Sequence, residues 1–251
     1  VGENTDIVTK QMFSFPDKKG RNLVLRPEGT AGVVRHYIDK KYNKIKKYYY
    51  SDQMFRYERP QKGRYREFHQ VGAEIIGYEN NSISEIFSII QLSNDFLENC
   101  IPTNTKYTFE INSIGTNEDR KIYNQKLKEY FKKNIENLSV DSIKRLDKNP
   151  LRILDSKDKS DIAISRNAPK LSEFRSEESN KKFNELIQLL KDSKIPYLEN
   201  PFLVRGLDYY NDFTFEIVPK NSKGSQDALG GGGQYDNLSK LLGGKDINGV
   251  G

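Results

Sequence analysis

The chain has 251 residues with a formal net charge of +6, enough length to bury a sizeable core as one large domain or a domain with an insertion. A single cysteine, Cys100, excludes a disulfide framework and a cysteine-ligated zinc site within this chain. No apolar run approaches the roughly 20 residues that span a membrane, and no signal peptide is visible, so a reducing, cytoplasmic setting is the expectation.

In chain order, Met12 to Phe15 reads as a short strand ending in a turn, and Leu23-Val24-Leu25 as its hairpin partner. The second strand stops at Arg26-Pro27-Glu28-Gly29-Thr30. Pro27 and Gly29 set a turn, and Thr30 is placed to cap the helix that follows. Val33, Val34, Tyr37, Ile38 and Tyr42 fall on one face at helical spacing. Glu28, at a strand end, is either an ordinary turn carboxylate or a carboxylate placed for an ammonium group.

Tyr48, Tyr49 and Tyr50 lead into two strands joined by a basic loop, Met54 through Glu74, with Pro60 and Gly63 breaking the pattern between them. Side chains alternate along a strand, so Phe68, Gln70, Gly72 and Glu74 share one side. His69, Val71, Ala73 and Ile75 share the other, which is mostly apolar and reads as core. The first row is either a solvent-facing edge or the floor of a ligand site. The loop favours the ligand: Arg56, Arg59, Lys62, Arg64 and Arg66 crowd together with Tyr57 and Tyr65. Guanidinium forks suit phosphate oxygens, and aromatic faces suit a base ring. From residue 35 to 66 there are eleven basic and three acidic residues, so the basic field is local to this clamp. The hairpin reads as a nucleoside triphosphate clamp.

Further on, Ser82-x-x-Glu85 is a capping box, opening a helix that turns Ile86, Phe87, Ile89, Ile90 and Phe96 toward a core. Tyr107, Phe109 and Ile111 alternate as a strand ended by Gly115. From about Asn117 to Ser193 helical patterns and dense charge dominate, which suggests a small helical insertion, or simply more of the same domain. The expected division is 1–115, 116–196 and 197–251. Arg205 and Asp208 then sit among core-like residues, where a buried arginine needs a partner. Phe213, Phe215 and Ile217 form another strand. Gly230 to Gly233 reads as a flexible loop, or as backbone that approaches a ligand closely.

Phe55-Arg56-x-Glu58, a loop, then Arg64-x-x-x-Phe68 resembles motif 2 of class II aminoacyl-tRNA synthetases, and Phe55 through Gln70 resembles the histidyl-tRNA synthetase family. Leu25 through Ala31 and Leu203 through Tyr210 are similar to two further strings of that family. The resemblance covers essentially the whole chain. It implies an α+β fold with an antiparallel sheet flanked by helices and a helical insertion domain between motifs 2 and 3. It implies ATP-dependent activation of L-histidine, with Mg²⁺, and transfer to the tRNA for histidine by a homodimer. Arg56 and Arg205 would hold the reacting phosphate. Glu28, Thr30, Gln70, Glu74, Tyr209 and Tyr210 would bind histidine, and Glu58, Arg64 and Phe68 would bind ATP. The family's Gly-Gly-Gly-Arg-Tyr-Asp string has Gln234 in place of its arginine. The cysteine pair often found in the insertion is missing here, so no metal is expected there. Motif 1, the motif 3 arginine and the anticodon-binding domain are not in this sequence, which therefore reads as a catalytic-core fragment. Two rivals remain: a non-catalytic regulatory or tRNA-sensing paralogue, and a plain RNA-binding module that would not need Glu28, Gln70 and Glu74.

Overall fold

In a computed structural model, the described residues are 8, 11–59, 63–79, 83–102, 104–147, 149–154, 156, 158–203, 209–220 and 228–251. Pro60, Ser82, Arg205 and Asp208 lie outside them, so the capping box and the Arg205–Asp208 pairing do too.

Strands β1 (Ser14–Pro16) and β2 (Asn22–Val24) form the expected antiparallel hairpin. Helix α1 (Thr30–Asp39) follows, and then β3 (Lys46–Phe55) and β4 (Glu67–Ile76) pair along their whole length. Next come α2 (Ile83–Cys100), β5 (Tyr107–Gly115), α3 (Asn117–Lys133), α4 (Val140–Leu146), α5 (Leu151–Leu154), α6 (Lys159–Ser165) and α7 (Glu177–Asp192). The chain closes with β6 (Tyr197–Glu199), β7 (Asn211–Pro219), β8 (Gly230–Gln234), α8 (Leu238–Leu241) and β9 (Gly249–Val250). Seven strands make one sheet in the order β3-β4-β9-β8-β7-β5-β6, antiparallel except at β5–β6. The fold is α+β, as expected.

The pleat sorts the core onto the two faces of this sheet. Ile75 joins Ile86, Ile90, Phe109, Phe215 and Leu190 under α2 and α7, whereas its neighbour Ile76 joins Val34, Tyr37, Tyr235 and Leu238 under α1 and α8. In the 117–193 region, α7 lays Phe183, Leu186 and Leu190 on the main core, and Leu127, Phe131, Leu146 and Ile153 gather with the α1 face.

Four local expectations are corrected. Thr30 does not cap α1: Gly29 is the capping residue, without a side-chain bond, because the Thr30 hydroxyl is used elsewhere. Tyr42 lies past the end of α1 and is exposed. Phe96 is also exposed, because the core face of α2 runs through Asn94 and Leu97, with Asn94 Oδ1 accepting from the Tyr107 hydroxyl at 3.0 Å. Finally, Gly230–Gly233 is not a loop but an inner strand. Its missing side chains make room for the Phe215 ring beside Gly232 and the Tyr210 ring beside Gly233.

One buried carboxylate ties two helix starts together. Asp119 accepts from Thr116 N, closing the α3 capping box, and from Ser176 N (3.1 Å) and Ser179 Oγ (2.6 Å) at the start of α7. These bonds outweigh burial and hold its pKa below the ordinary 3.8. Asp119→Asn is expected to cost about 2 kcal/mol in urea unfolding near neutral pH, the scale of hydrogen bonds to a charged group. A lowered native pKa gives stability that is present above 3.8 and lost as pH falls through the native value. The gap between wild type and variant should therefore narrow in acid.

Candidate active site

The hairpin register builds the floor. Met54 faces Phe68, Asp52 faces Gln70, Tyr50 faces Gly72 and Tyr48 faces Glu74. From Phe68 to Glu74 this row runs about 20 Å at strand rise. Burial bears out part of the expectation for the two sides of β4: Ile75 is core and Ala73 packs beside it, whereas His69 and Val71 are exposed. Val71 is 54% exposed and Tyr49, which pairs with Ala73 across the hairpin, is 87% exposed, whereas Glu74 is 2% exposed. The apolar row faces outward over much of its length, and only Ile75 in it is fully buried. The polar row is the covered one, because the 26–30 turn, the Tyr50 ring and α1 sit on it.

The turn is fastened to β3. Phe55 N donates to Arg26 O at 2.8 Å, Arg56 Nε donates to Pro27 O at 2.8 Å, and Arg26 pairs with Asp52. This holds Glu28 and Thr30 over the floor. Glu28 is buried and accepts from Ala31 N (3.1 Å), so it supplies the cap that Thr30 was expected to give, and the Tyr209 hydroxyl reaches it at 3.5 Å. Desolvation pushes its pKa up, opposed by the Ala31 and Thr30 amides and the Arg56 charge. Thr30 Oγ1 donates to Glu74 Oε1 at 2.7 Å, and the Tyr235 hydroxyl donates to Glu74 Oε2 at 2.6 Å. Burial raises Glu74 to about 7, with the Glu28 charge pushing the same way. The rings of Tyr209 and Tyr210 close the hollow, 4.9 Å apart. Gln70 Oε1 is buried with no hydrogen-bond partner among the described residues.

This end of the floor therefore holds two buried carboxylates and an unsatisfied amide oxygen. Such a set is costly unless a donor or cation completes it.

The other end is basic and aromatic. The Arg56 guanidinium lies 5.0 Å over the Phe68 ring. Arg64 Nη1 donates to Glu58 Oε2 at 3.0 Å, and Arg66 lies 4.3 Å over Tyr57. Of the residues that the resemblance assigns to histidine, Thr30 meets Glu74, Tyr209 meets Glu28 and Tyr210, and Gln70 shares the β4 row with Glu74; of those assigned to ATP, Arg56 meets Phe68 and Arg64 meets Glu58. Arg205 lies outside the described residues.

Two contributors went unread. Tyr50 is a β3 residue whose ring packs over Gly72 and Gly29, where a Cβ would collide with it. Only the cross-strand register, counted back from Gly72, points to it. Gly72→Ala is expected to cost about 1–3 kcal/mol by overpacking, read as a lower urea midpoint. The double variant with Tyr50→Ala should lose less than the sum, since the clash has one partner. Tyr235 had no periodic signal at all.

The comparisons agree along the chain. A family model described as histidyl-tRNA synthetase matches residues 2–251. The chain is 49% identical to a chloroplastic histidine–tRNA ligase of Pyropia yezoensis over 100% of its own length and 58% of that protein. It is 47% identical to a histidine–tRNA ligase of Protochlamydia amoebophila, covering 59% of it. The chain thus spans about three fifths of the length of these relatives. Among solved structures, the Staphylococcus aureus apo histidyl-tRNA synthetase superposes with a TM-score of 0.71 at 36% identity, over 95% of this chain and 57% of that one. A Bacillus halodurans structure, titled as an ATP phosphoribosyltransferase regulatory subunit/histidyl-tRNA synthetase, shares the fold at 21% identity and a TM-score of 0.64.

Proposed function

Because the chain belongs to the histidyl-tRNA synthetase family, we propose that it carries the catalytic core that activates L-histidine with ATP and passes it to the tRNA for histidine. The observation that carries this reading is the two-ended floor of β4. A carboxylate-rich hollow lies at Glu74, and a cationic, aromatic end lies at Arg56 and Phe68, about 20 Å away along the strand.

In the first step the histidine carboxylate attacks the α-phosphorus of ATP in line, and pyrophosphate leaves with the displaced bond's electrons. Positioning and charge stabilisation carry such a transfer. Glu28, Thr30 and Gln70 orient the ammonium; the raised pKa of Glu28 and the unsatisfied Gln70 oxygen support this. Glu74 and Tyr210 hydrogen-bond the imidazole nitrogens, beside Tyr209. Phe68 stacks on adenine, Glu58 reads its amino group, and Arg64 holds the outer phosphates, which requires opening the Arg64–Glu58 pair. Arg56 and Arg205 grip the α-phosphate from two sides. Mg²⁺ would accompany the outer phosphates of ATP. In the second step the activated histidine moves to the terminal ribose of the tRNA. Residues 116–196 are the insertion that reaches the tRNA acceptor end, between core segments 1–115 and 197–251, and the complete protein acts as a homodimer. We place it in the cytoplasm; two of the relatives bear the word chloroplastic in their names, so an organelle is the other setting to check by fractionation.

Histidine-dependent ATP–pyrophosphate exchange by the complete protein tests the reading. A regulatory paralogue or an RNA-binding module would show none. Arg205→Ala should keep histidine binding and lose exchange by about 10²–10³, the scale of one transition-state contact. Exchange near the wild-type rate would remove Arg205 from the reaction.

A further inference from the structure

The glycine-rich string delivers its tyrosine, Tyr235, to the pocket, and none of the ligand roles above uses it. Tyr235 follows β8 directly and is fully buried. Its hydroxyl is 2.6 Å from Glu74 Oε2, whereas the other acceptor within reach, Val250 O, is 3.5 Å away. A phenol has one proton to donate, and the distances assign it to the carboxylate. Thr30 occupies the other oxygen, Oε1. Oε1 thus accepts from Thr30 and Oε2 from Tyr235, and the Tyr50 hydroxyl also faces the carboxylate, all of which favour the charged form.

The pair is also clamped sterically. A Cβ at Gly249 would run into the Tyr235 ring, and one at Gly251 into the Glu74 carboxylate. Tyr235 N donates to Gly249 O at 2.7 Å, which fixes the ring's backbone against the same segment. The Tyr209 ring meets that of Tyr235 edge-on at 6.0 Å. Four separate stretches of chain, at Thr30, Tyr209, Tyr235 and Gly249–Gly251, therefore surround one carboxylate and its tyrosine.

We propose that Tyr235 is the positioning residue for Glu74, holding it as a charged acceptor aimed into the pocket, so that the site selects a ring N–H donor. The proposal rests on the histidine-activation reading and adds a specificity device to it. An apolar ring of similar size would leave the carboxylate unpaired, and a site built on such a bond rejects the analogue that lacks the donor by roughly 10⁴–10⁵.

The groups facing Glu74 are Thr30 on α1, Tyr50 on β3, Glu28 in the preceding turn, Tyr209 and Tyr235. Glu28 and burial push its proton affinity up; Tyr235, Thr30 and Tyr50 pull it down. Removing the Tyr235 hydroxyl removes a donor to the charged form, so the carboxyl must titrate at higher pH.

The experiment follows the Glu74 side-chain carboxyl by ¹³C NMR titration in the complete protein, beside histidine and ATP kinetics. In wild type the midpoint is expected at about 7. In Tyr235→Phe it moves to higher pH, and the KM for histidine rises about tenfold while that for ATP stays within twofold. If Tyr235→Phe fails to fold, 3-fluorotyrosine installed at position 235 serves instead. Its more acidic hydroxyl keeps the shape and should move the midpoint to lower pH. A midpoint unchanged by either replacement overturns the proposal, as does a shifted midpoint with unchanged histidine KM in the phenylalanine variant. The titration is independent of turnover. A carboxyl that shifts as stated in a protein without histidine-dependent exchange would sink the ligase reading and leave the Tyr235–Glu74 coupling standing.

Discussion

Arg56→Ala is expected to lower histidine-dependent pyrophosphate exchange by about 10²–10³ and to weaken histidine binding as well. The first effect is the loss of one preorganised cation at the reacting phosphate. The second comes from the fastening of the turn. Arg56 Nε holds Pro27 O at 2.8 Å, one residue before Glu28, and its charge stabilises the Glu28 carboxylate. Its loss frees the turn and lets the Glu28 pKa rise further. Arg56→Lys separates the two roles. The lysine keeps a charge but not the fork that can hold carbonyl and phosphate together, so some exchange should return while histidine affinity stays poor. The measurement is kcat and both KM values in pyrophosphate exchange. A pure kcat loss with unchanged histidine KM would show that the fastening does not matter.

Glu74→Gln should move stability and function in opposite directions. A carboxyl raised from 4.5 to about 7 keeps its proton in the native state after the unfolded chain has lost it. Its contribution is intact below 4.5 and lost as pH rises toward 7, a cost of about 3 kcal/mol at alkaline pH. The amide carries no such cost. The ligand-free variant should therefore match wild type in thermal melts at pH 4 and exceed it at pH 8, less whatever its altered bonds to Thr30 and Tyr235 forfeit. Histidine binding should fall by about 10- to 100-fold, the worth of a hydrogen bond to a charged group, with ATP binding little changed. Equal losses for both ligands would argue against an imidazole contact. A group kept at the expense of stability is the usual mark of a working site.

The sequence carried the hairpin and its alternation well, because Pro60 and Gly63 punctuate it and the period of two is strict. It misled on how far the apolar row is core: His69 and Val71 are exposed. Ala73 and Ile75 do reach the core, but Val71 only looks like core by hydropathy, since the covering elements, the 26–30 turn among them, lie on the other face. Gly230–Gly233 misled for a related reason. Glycine is a poor strand former on its own, and this strand stands because the Phe215 and Tyr210 rings fill the space it leaves. The individual motif residues were readable as types and spacings. What joins Thr30, Glu74 and Tyr235 was not, since hydrogen bonds across 44 and 161 residues leave no trace in local pattern.

Strand β9 sets the order in which this protein can assemble. It is the wedge between β4 and β8, and without it the sheet falls into two unconnected pieces. Asn248 bonds back to Tyr78 across 170 residues of chain. While the ribosome is still making the intervening helices, β4 has a bare edge and Glu74 has no Tyr235. Such long-range closure is slow and leaves an adhesive margin exposed meanwhile. Nascent chains halted before Gly249 should therefore be bound by chaperones and cleaved readily by protease, and both traits should vanish within a few residues of its emergence.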